Sequence, residues 1–189
     1  MSRKNSAGSS ITDLVGIMPR TKLCDGVPSV WHFPELGAET FLAGEMVCLS
    51  GTVGAAVGIT KPGTDASGYG ILGFAADSAS GSTSSMKAVW IASPDVVFVG
   101  NVGHATSASA QTAASDLGQK YGLTSLSGRT YIDKGKAGQA STAMVRVIGL
   151  YEQDNHPCFY GRVLFTVFPD SCQLFSNWVL SSSLKNTVI

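Results

Sequence analysis

Charge is the scarcest property of this chain. Asp, Glu, Lys and Arg together make up 14% of its residues, against ~25% in an average soluble domain. The 13 basic residues are balanced by 13 acidic ones. Without a basic excess the chain has little to attract phosphate backbones, so nucleic acid is not expected as a partner. With 44% hydrophobic residues, the sequence is also too apolar for an intrinsically disordered protein.

Long apolar runs are missing as well. No run approaches the ~20 residues that a membrane helix needs. The first ten residues are polar and positive, without the apolar core of a signal peptide. We therefore expect no membrane partner and no secretion signal.

Cysteine pairs with the spacing of metal or redox motifs are also lacking. The four cysteines are Cys24, Cys48, Cys158 and Cys172, and no two of them form a C-x-x-C motif. No histidine follows them at the spacing of a zinc finger. Since nothing indicates an oxidising compartment, we expect reduced thiols and no metal site.

One glycine motif has the letters of a dinucleotide-binding loop. Residues 68–73 spell G-Y-G-I-L-G, with Asp95 about twenty residues further on. Such a loop must follow a strand and open a helix, so that the helix N-terminus meets the pyrophosphate. Here a loop precedes the motif and a strand is expected after it. The sequence therefore predicts a hairpin turn and no nucleotide cofactor.

Residue patterns typical of catalytic sites are also lacking. The histidines His32, His104 and His156 lie in separate loop-like segments, and no G-x-S-x-G elbow is present. The run 154–156 (Asp-Asn-His) is interpreted as a solvated turn rather than a metal site. Glu45 has no carboxylate partner by spacing and is expected to face solvent. We expect no catalytic residue, no cofactor and no enzyme activity.

Short strands dominate the chain from residue 40 onward. The candidate strands, each rich in β-branched or aromatic residues and bounded by turn residues, are 40–49, 55–60, 70–75, 87–92, 95–102, 129–133, 143–151 and 161–169. Val163, Phe165 and Val167 alternate with other residues, as do Val145 and Val147, so each set should share one face. The pattern predicts an all-β fold, a small β-barrel or sandwich.

A single short helix is predicted, from about Thr112 to Tyr121. Thr112 or Ser115 can cap its start, and Gly122 follows its end, where a C-terminal glycine belongs. Gly118 inside it weakens the helical pattern.

Three parts are expected along the chain. Residues 1–40 contain Pro19, Pro28 and Pro34, which favour an extended N-terminal arm. Residues 41–169 would form the barrel-like domain, and residues 170–189 a C-terminal tail.

The barrel-like region resembles the capsid decoration, or cement, proteins of tailed bacteriophages. The matching segments, in chain order, are GEMV at 44–47, ILGFAA at 71–76, DVVFVGN at 95–101, DLGQKYGL at 116–123, YID at 131–133, VRVIGL at 145–150 and RVLFTV at 162–167. The resemblance covers about two-thirds of the chain, and the arm and tail have no counterpart in it.

The resemblance implies a structural virion protein on the exterior of a bacteriophage head, made in the host cytoplasm. Such proteins bind between subunits of the major capsid protein, often as homotrimers, and stabilise the expanded head. They have no active site and no cofactor. The alternative is a carbohydrate- or host-surface-binding β module of a virion appendage.

The expected functional residues are therefore interface residues. Val30, Trp31 and Phe33 are the first candidates for contact with the capsid or a neighbouring copy, because a proline-rich extended arm buries aromatic side chains with difficulty. Phe175 and Trp178 in the tail are the second. The competing interpretation is that these aromatic residues pack on their own barrel.

Overall fold

The computed structural model describes residues 14–24, 26–37, 39–50, 57–62, 70–82, 84–104, 109–138 and 142–175. Strands dominate these residues, with only short 3-10 turns among them. The predicted all-β fold with a small barrel is confirmed.

The C-terminal half forms a closed five-stranded barrel. Its strands are β9 (Val96–Gly103), β10 (Lys120–Leu126), β11 (Arg129–Asp133), β12 (Val145–Leu150) and β13 (Arg162–Val167). They pair in the order β9–β11–β10–β12–β13, and β13 returns to β9 to close the barrel. Only the β9–β11 pair is parallel; the other barrel pairs are antiparallel. The β11 strand pairs only with the end of β9, at Val102 and Gly103, so the first half of that edge is left for another strand.

The N-terminal half forms a second, five-stranded sheet. Its strands are β2 (Val30–Pro34), β4 (Met46–Ser50), β5 (Gly58–Thr60), β6 (Gly73–Ala75) and β8 (Met86–Ile91), in the order β2–β8–β6–β4–β5. The short strands β3 (Thr40–Phe41) and β7 (Ala79–Ser80) pair beside it. The edge strands approach each other where the Leu36 amide donates to the Ile59 carbonyl oxygen at 3.0 Å.

The two larger of the three apolar clusters among the described residues follow from the alternation of side chains. One fills the barrel and continues onto one face of the second sheet, where Phe74 packs edge-on against Phe98 with ring centroids 4.9 Å apart. Phe98 also stacks on Phe165 at 5.8 Å. The other cluster, with Val47 and Val89 among its members, lies on the opposite face of the second sheet. The two sheets are therefore joined through the aromatic core around Phe98.

The alternation predicted for β12 and β13 is present in the barrel wall. Val145, Val147, Val163, Phe165 and Val167 are all buried and belong to the barrel cluster. Their neighbours along each strand are more exposed.

The segment predicted as an N-terminal arm is extended, but its described part belongs to the two sheets. Strand β1 (Met18–Lys22) pairs antiparallel with the first half of β9, and β2 pairs with β8. Ile17 is fully buried in the barrel cluster. The extended chain satisfies amides that would otherwise stay unpaired at these strand edges. The described part of residues 1–40 thus contributes a strand to each sheet, and the strands of the closed barrel lie between residues 96 and 167.

The predicted helix at 112–121 is a single 3-10 turn, Ala114–Asp116, followed by strand β10. Gly118 adopts a positive φ of 78°, which ends any helical path. Asp116 is buried; its carboxylate accepts from the Ala113 amide at the start of this turn at 2.8 Å, and from the Tyr121 hydroxyl and the Lys134 ammonium, each at 2.7 Å. These tertiary contacts outweigh the weak local preference for helix.

Glu45 is buried, against the expectation of a solvent-facing strand residue. Its carboxylate accepts a hydrogen bond from the Leu42 amide at 2.8 Å, within the turn that precedes β4. A carboxylate that binds a local backbone amide lowers the cost of its own burial.

Replacement of Phe98 by Ala is expected to lower the free energy of unfolding by about 3–5 kcal/mol, because it opens a cavity where the two sheets meet. Urea denaturation followed by far-ultraviolet circular dichroism measures the change. Phe159→Ala is the matched control, since Phe159 is 49% exposed and its loss should cost less than about 1 kcal/mol. Equal losses for the two variants would contradict the assignment of Phe98 to the core.

Candidate interaction groove

An open groove of about 570 Å³ lies where the second sheet meets the start of the barrel. Its apolar lining comes from Trp31, Ile91, Val96, Leu174 and Phe175. Its polar lining comes from Lys22, Ser29, Ser93 and Asp95. The groove thus combines the end of β1, the start of β2, the link from β8 to β9, and the chain after β13.

Strand pairing fixes Trp31 at the groove. Trp31 lies opposite Val89 in the β2–β8 pair, and its ring stacks on Phe33 with centroids 6.3 Å apart. Phe33 is half-buried and packs against the second apolar cluster, so the ring on which the indole stacks is itself held by the core. Trp31 nevertheless remains 54% exposed. An indole held by its neighbours and open to solvent loses little entropy on binding.

The tail reaches the groove through a short tertiary connection. After the 3-10 turn Pro169–Ser171, Cys172 forms a parallel bridge with Ile71, and the Gln173 side-chain oxygen accepts a hydrogen bond from the Leu49 amide at 2.7 Å. Leu174 then packs against the second apolar cluster. Phe175 follows with 56% of its surface exposed.

One ion pair borders the groove. The Lys22 ammonium lies 3.8 Å from the Asp95 carboxylate, and the Ser93 hydroxyl donates to the same carboxylate. Because both charged groups remain partly exposed, the pair contributes little to stability. These groups instead give a mainly apolar groove a polar edge.

The structure brings together two of the five residues predicted as interface residues. Trp31 and Phe175 line the same groove although they are far apart in sequence. Val30 is 45% exposed but points to the other face of β2, and Phe33 supports Trp31 from within the protein. Trp178 lies outside the described residues. Ile91, Val96 and Asp95 were not predicted as site residues and were marked only as members of predicted strands. Lys22 was marked only as part of the predicted arm.

Asp154 and His156, which the sequence analysis considered as a possible metal site, are each bonded to another residue of the protein. Asp154 is buried and binds Arg162, with 2.6 Å between Oδ1 and Nη2. His156 contacts Thr112 at 2.7 Å rather than joining Asp154. In the part of the chain that the structure describes, no three His, Cys, Asp or Glu side chains are grouped to hold a metal ion. Residues 70–73 of the glycine motif lead into strand β6 and not into a helix, and residues 68 and 69 lie outside the described residues.

Comparison of the chain with protein-family models, with curated proteins and with solved structures gives no match. Among the described residues no helix has the length and apolar character required to cross a membrane.

The exposed aromatic residues of the groove are expected to matter little for stability. Trp31→Ala and Phe175→Ala should each change the free energy of unfolding by less than about 1 kcal/mol, because both side chains already face water. Ile91→Ala is the contrast within the same lining: Ile91 is buried, and its truncation should cost about 2–5 kcal/mol. Urea denaturation measures all three, and a large loss for Trp31→Ala would make the indole a structural residue.

Proposed function

We propose that this chain is a structural virion protein, a capsid decoration protein that binds the outer surface of a bacteriophage head between subunits of the major capsid protein. It stabilises the expanded head and catalyses no reaction. The observation that carries the proposal is the groove of Trp31 and Phe175, two half-exposed aromatic residues, one on strand β2 and the other in the chain after β13.

The groove has the composition of a protein-binding hot spot. Binding energy at protein interfaces concentrates in a few large side chains, with Trp prominent among them, surrounded by contacts that exclude water. Trp31 and Phe175 supply the aromatic surface, and Ile91, Val96 and Leu174 supply the apolar lining. The Lys22–Asp95 pair at the edge gives the polar rim that is usual for such interfaces.

The resemblance of residues 41–168 to decoration proteins supplies the partner class. A single groove of this size would bind a capsid subunit weakly. A homotrimer would offer one groove per copy, and each contact made would raise the effective concentration of the next. The proposal therefore includes self-association at the capsid, with the major capsid protein as the principal partner.

Co-sedimentation with assembled heads tests the proposal directly. The wild-type protein should sediment with expanded heads and raise the temperature at which they release their contents. Trp31→Ala and Phe175→Ala should each weaken binding about tenfold or more, the loss of a ~1.4 kcal/mol contact. Occupancy is measured by quantitative gel densitometry of pelleted heads across a titration.

The control is Phe159→Ala, which removes an equally exposed aromatic ring. Phe159 adjoins Tyr160, whose carbonyl is bonded to Asn101 near the far end of β9 from the groove. Its loss should leave head binding unchanged. If wild-type protein does not sediment with heads, the proposed function is wrong; if all three variants bind like wild type, the groove is not the capsid-binding surface.

A carbohydrate-binding module is the second candidate function, favoured by one feature of the groove. The exposed indole of Trp31 can stack on a sugar ring, while the Asp95 carboxylate and the Ser93 hydroxyl beside it can bind sugar hydroxyls. Binding of the isolated protein to a glycan array, abolished by Trp31→Ala and unaccompanied by head binding, would favour this function.

A further inference from the structure

A second chemical site lies away from the groove, in the chain between β12 and β13. Cys158 and His156 belong to this connection, and Thr112 reaches it from the segment between β9 and β10. The Thr112 Oγ1 atom lies 2.7 Å from His156 Nδ1 and 3.4 Å from Cys158 Sγ. The thiol sulfur and the imidazole nitrogen are 3.8 Å apart. Cys158 remains partly exposed, so the group is open to a small reactant.

The orientation of the imidazole follows from its other nitrogen. His156 Nε2 lies 2.9 Å from the Tyr151 carbonyl oxygen. A carbonyl oxygen can only accept, so Nε2 carries the proton and donates it. In the neutral ring Nδ1 is therefore an unprotonated base, directed at Thr112 and Cys158. A backbone carbonyl here holds the imidazole in one tautomer, as an orienting partner does for a catalytic histidine.

The three side chains form a complete path for one proton. With a neutral ring, the Cys158 thiol donates to Thr112 Oγ1, and the Thr112 hydroxyl donates to His156 Nδ1. After transfer, Nδ1–H donates to Thr112 Oγ1, and the Thr112 hydroxyl donates to the Cys158 thiolate. The Thr112 oxygen also lies 3.1 Å from the Cys158 carbonyl oxygen and accepts from the Cys158 amide at 3.4 Å. The hydroxyl passes the proton when its own hydrogen points to the imidazole or the thiolate rather than to that carbonyl.

The backbone around the site is fixed by its surroundings. Gly161 packs so closely against Thr112 Oγ1 and Cys158 Sγ that a Cβ at this position would collide with both. Tyr160 has a positive φ of 50°, and its amide and carbonyl are bound to Ala110 and Asn101. Such strained positions persist only where the neighbouring structure imposes them, and they cluster at functional sites.

We propose that Cys158 is a nucleophilic thiol that exchanges with low-molecular-weight disulfides, with Thr112 and His156 taking up its proton. The thiolate attacks one sulfur of the disulfide, a new bond forms between Cys158 Sγ and that sulfur, and the original sulfur–sulfur bond breaks. The departing thiolate takes the proton held on His156. One disulfide is consumed and one is formed, so no further oxidant is needed.

The other cysteines provide internal references in the same molecule. Cys24 is exposed, whereas Cys48 and Cys172 are buried. Burial raises the pKa of the Cys48 thiol to about 11 and that of Cys172 to about 12. These two thiols are therefore unreactive in the folded protein, and they report unfolding if they begin to react.

The test measures thiolation of the full chain at neutral pH, with dithiobis(nitrobenzoate) and separately with glutathione disulfide, assigning sites by peptide mass. Although Cys158 is less exposed than Cys24, it should react about tenfold faster or more, because its proton acceptor is already in place. Reaction with the aromatic probe but not with glutathione disulfide would overturn the assignment to small biological disulfides.

Variants separate the proton path from simple packing. Thr112→Val keeps the shape but removes the hydroxyl, and His156→Gln removes the base; each should bring the Cys158 rate down to that of Cys24. Thr112→Ser restores the hydroxyl and should recover most of the rate. If Cys48 and Cys172 react in a variant, that variant is unfolded. The test then rests on the ratio of the Cys158 rate to the Cys24 rate in the wild type, and on Thr112→Ser. A Cys158 rate at or below that of Cys24 in the wild type, or one unaffected by Thr112→Val in folded protein, overturns the proposal.

Discussion

Strand β9 is the element on which the rest of the structure depends. All eight of its residues are buried, and it pairs with β13 on one edge and with β1 and then β11 on the other. Its Asn101 is a buried amide that accepts from the Val15 backbone at 3.0 Å and donates to the Tyr160 carbonyl at 2.6 Å. Phe98 on the same strand contacts the second sheet through Phe74. Because a buried amide without partners would cost several kcal/mol, Asn101 fixes both segments that it binds.

The two candidate sites lie toward opposite ends of this strand. Asp95 and Val96 at its beginning line the groove, and Asn101 near its end holds Tyr160 beside the Cys158 site. Asn101 lies five residue steps along the extended strand from Val96, a distance of about 17 Å. The groove and the thiol are therefore separate sites on the strand. Interface binding and thiol exchange can be properties of one molecule, each supported by the same rigid strand.

Local alternation was sufficient to predict β12 and β13, because their buried residues recur at every second position within a few residues. It failed where long-range contacts decide the outcome. The helix predicted for 112–121 ran into the first two residues of β10, since no local pattern shows that Asp116 will bind Lys134. The meeting of Trp31 with Phe175 required the chain after β13 to return to the second sheet. Sequence composition identified both as interface candidates but gave no reason to place them together.

Because several charged side chains are buried, the protein surface carries fewer charged groups than the composition indicates. Asp116 and Asp154 are almost fully buried in ion pairs with Lys134 and Arg162, and hydrogen bonds to Asp154 raise the Arg162 pKa. Glu35 is buried too, and its carboxylate lacks a hydrogen-bond partner among the described residues. Each such group removes a hydrated ion from the surface of a chain that already has few. Since stripping water from charges is a main cost of association, a surface of this kind favours a protein that functions in contact with other proteins.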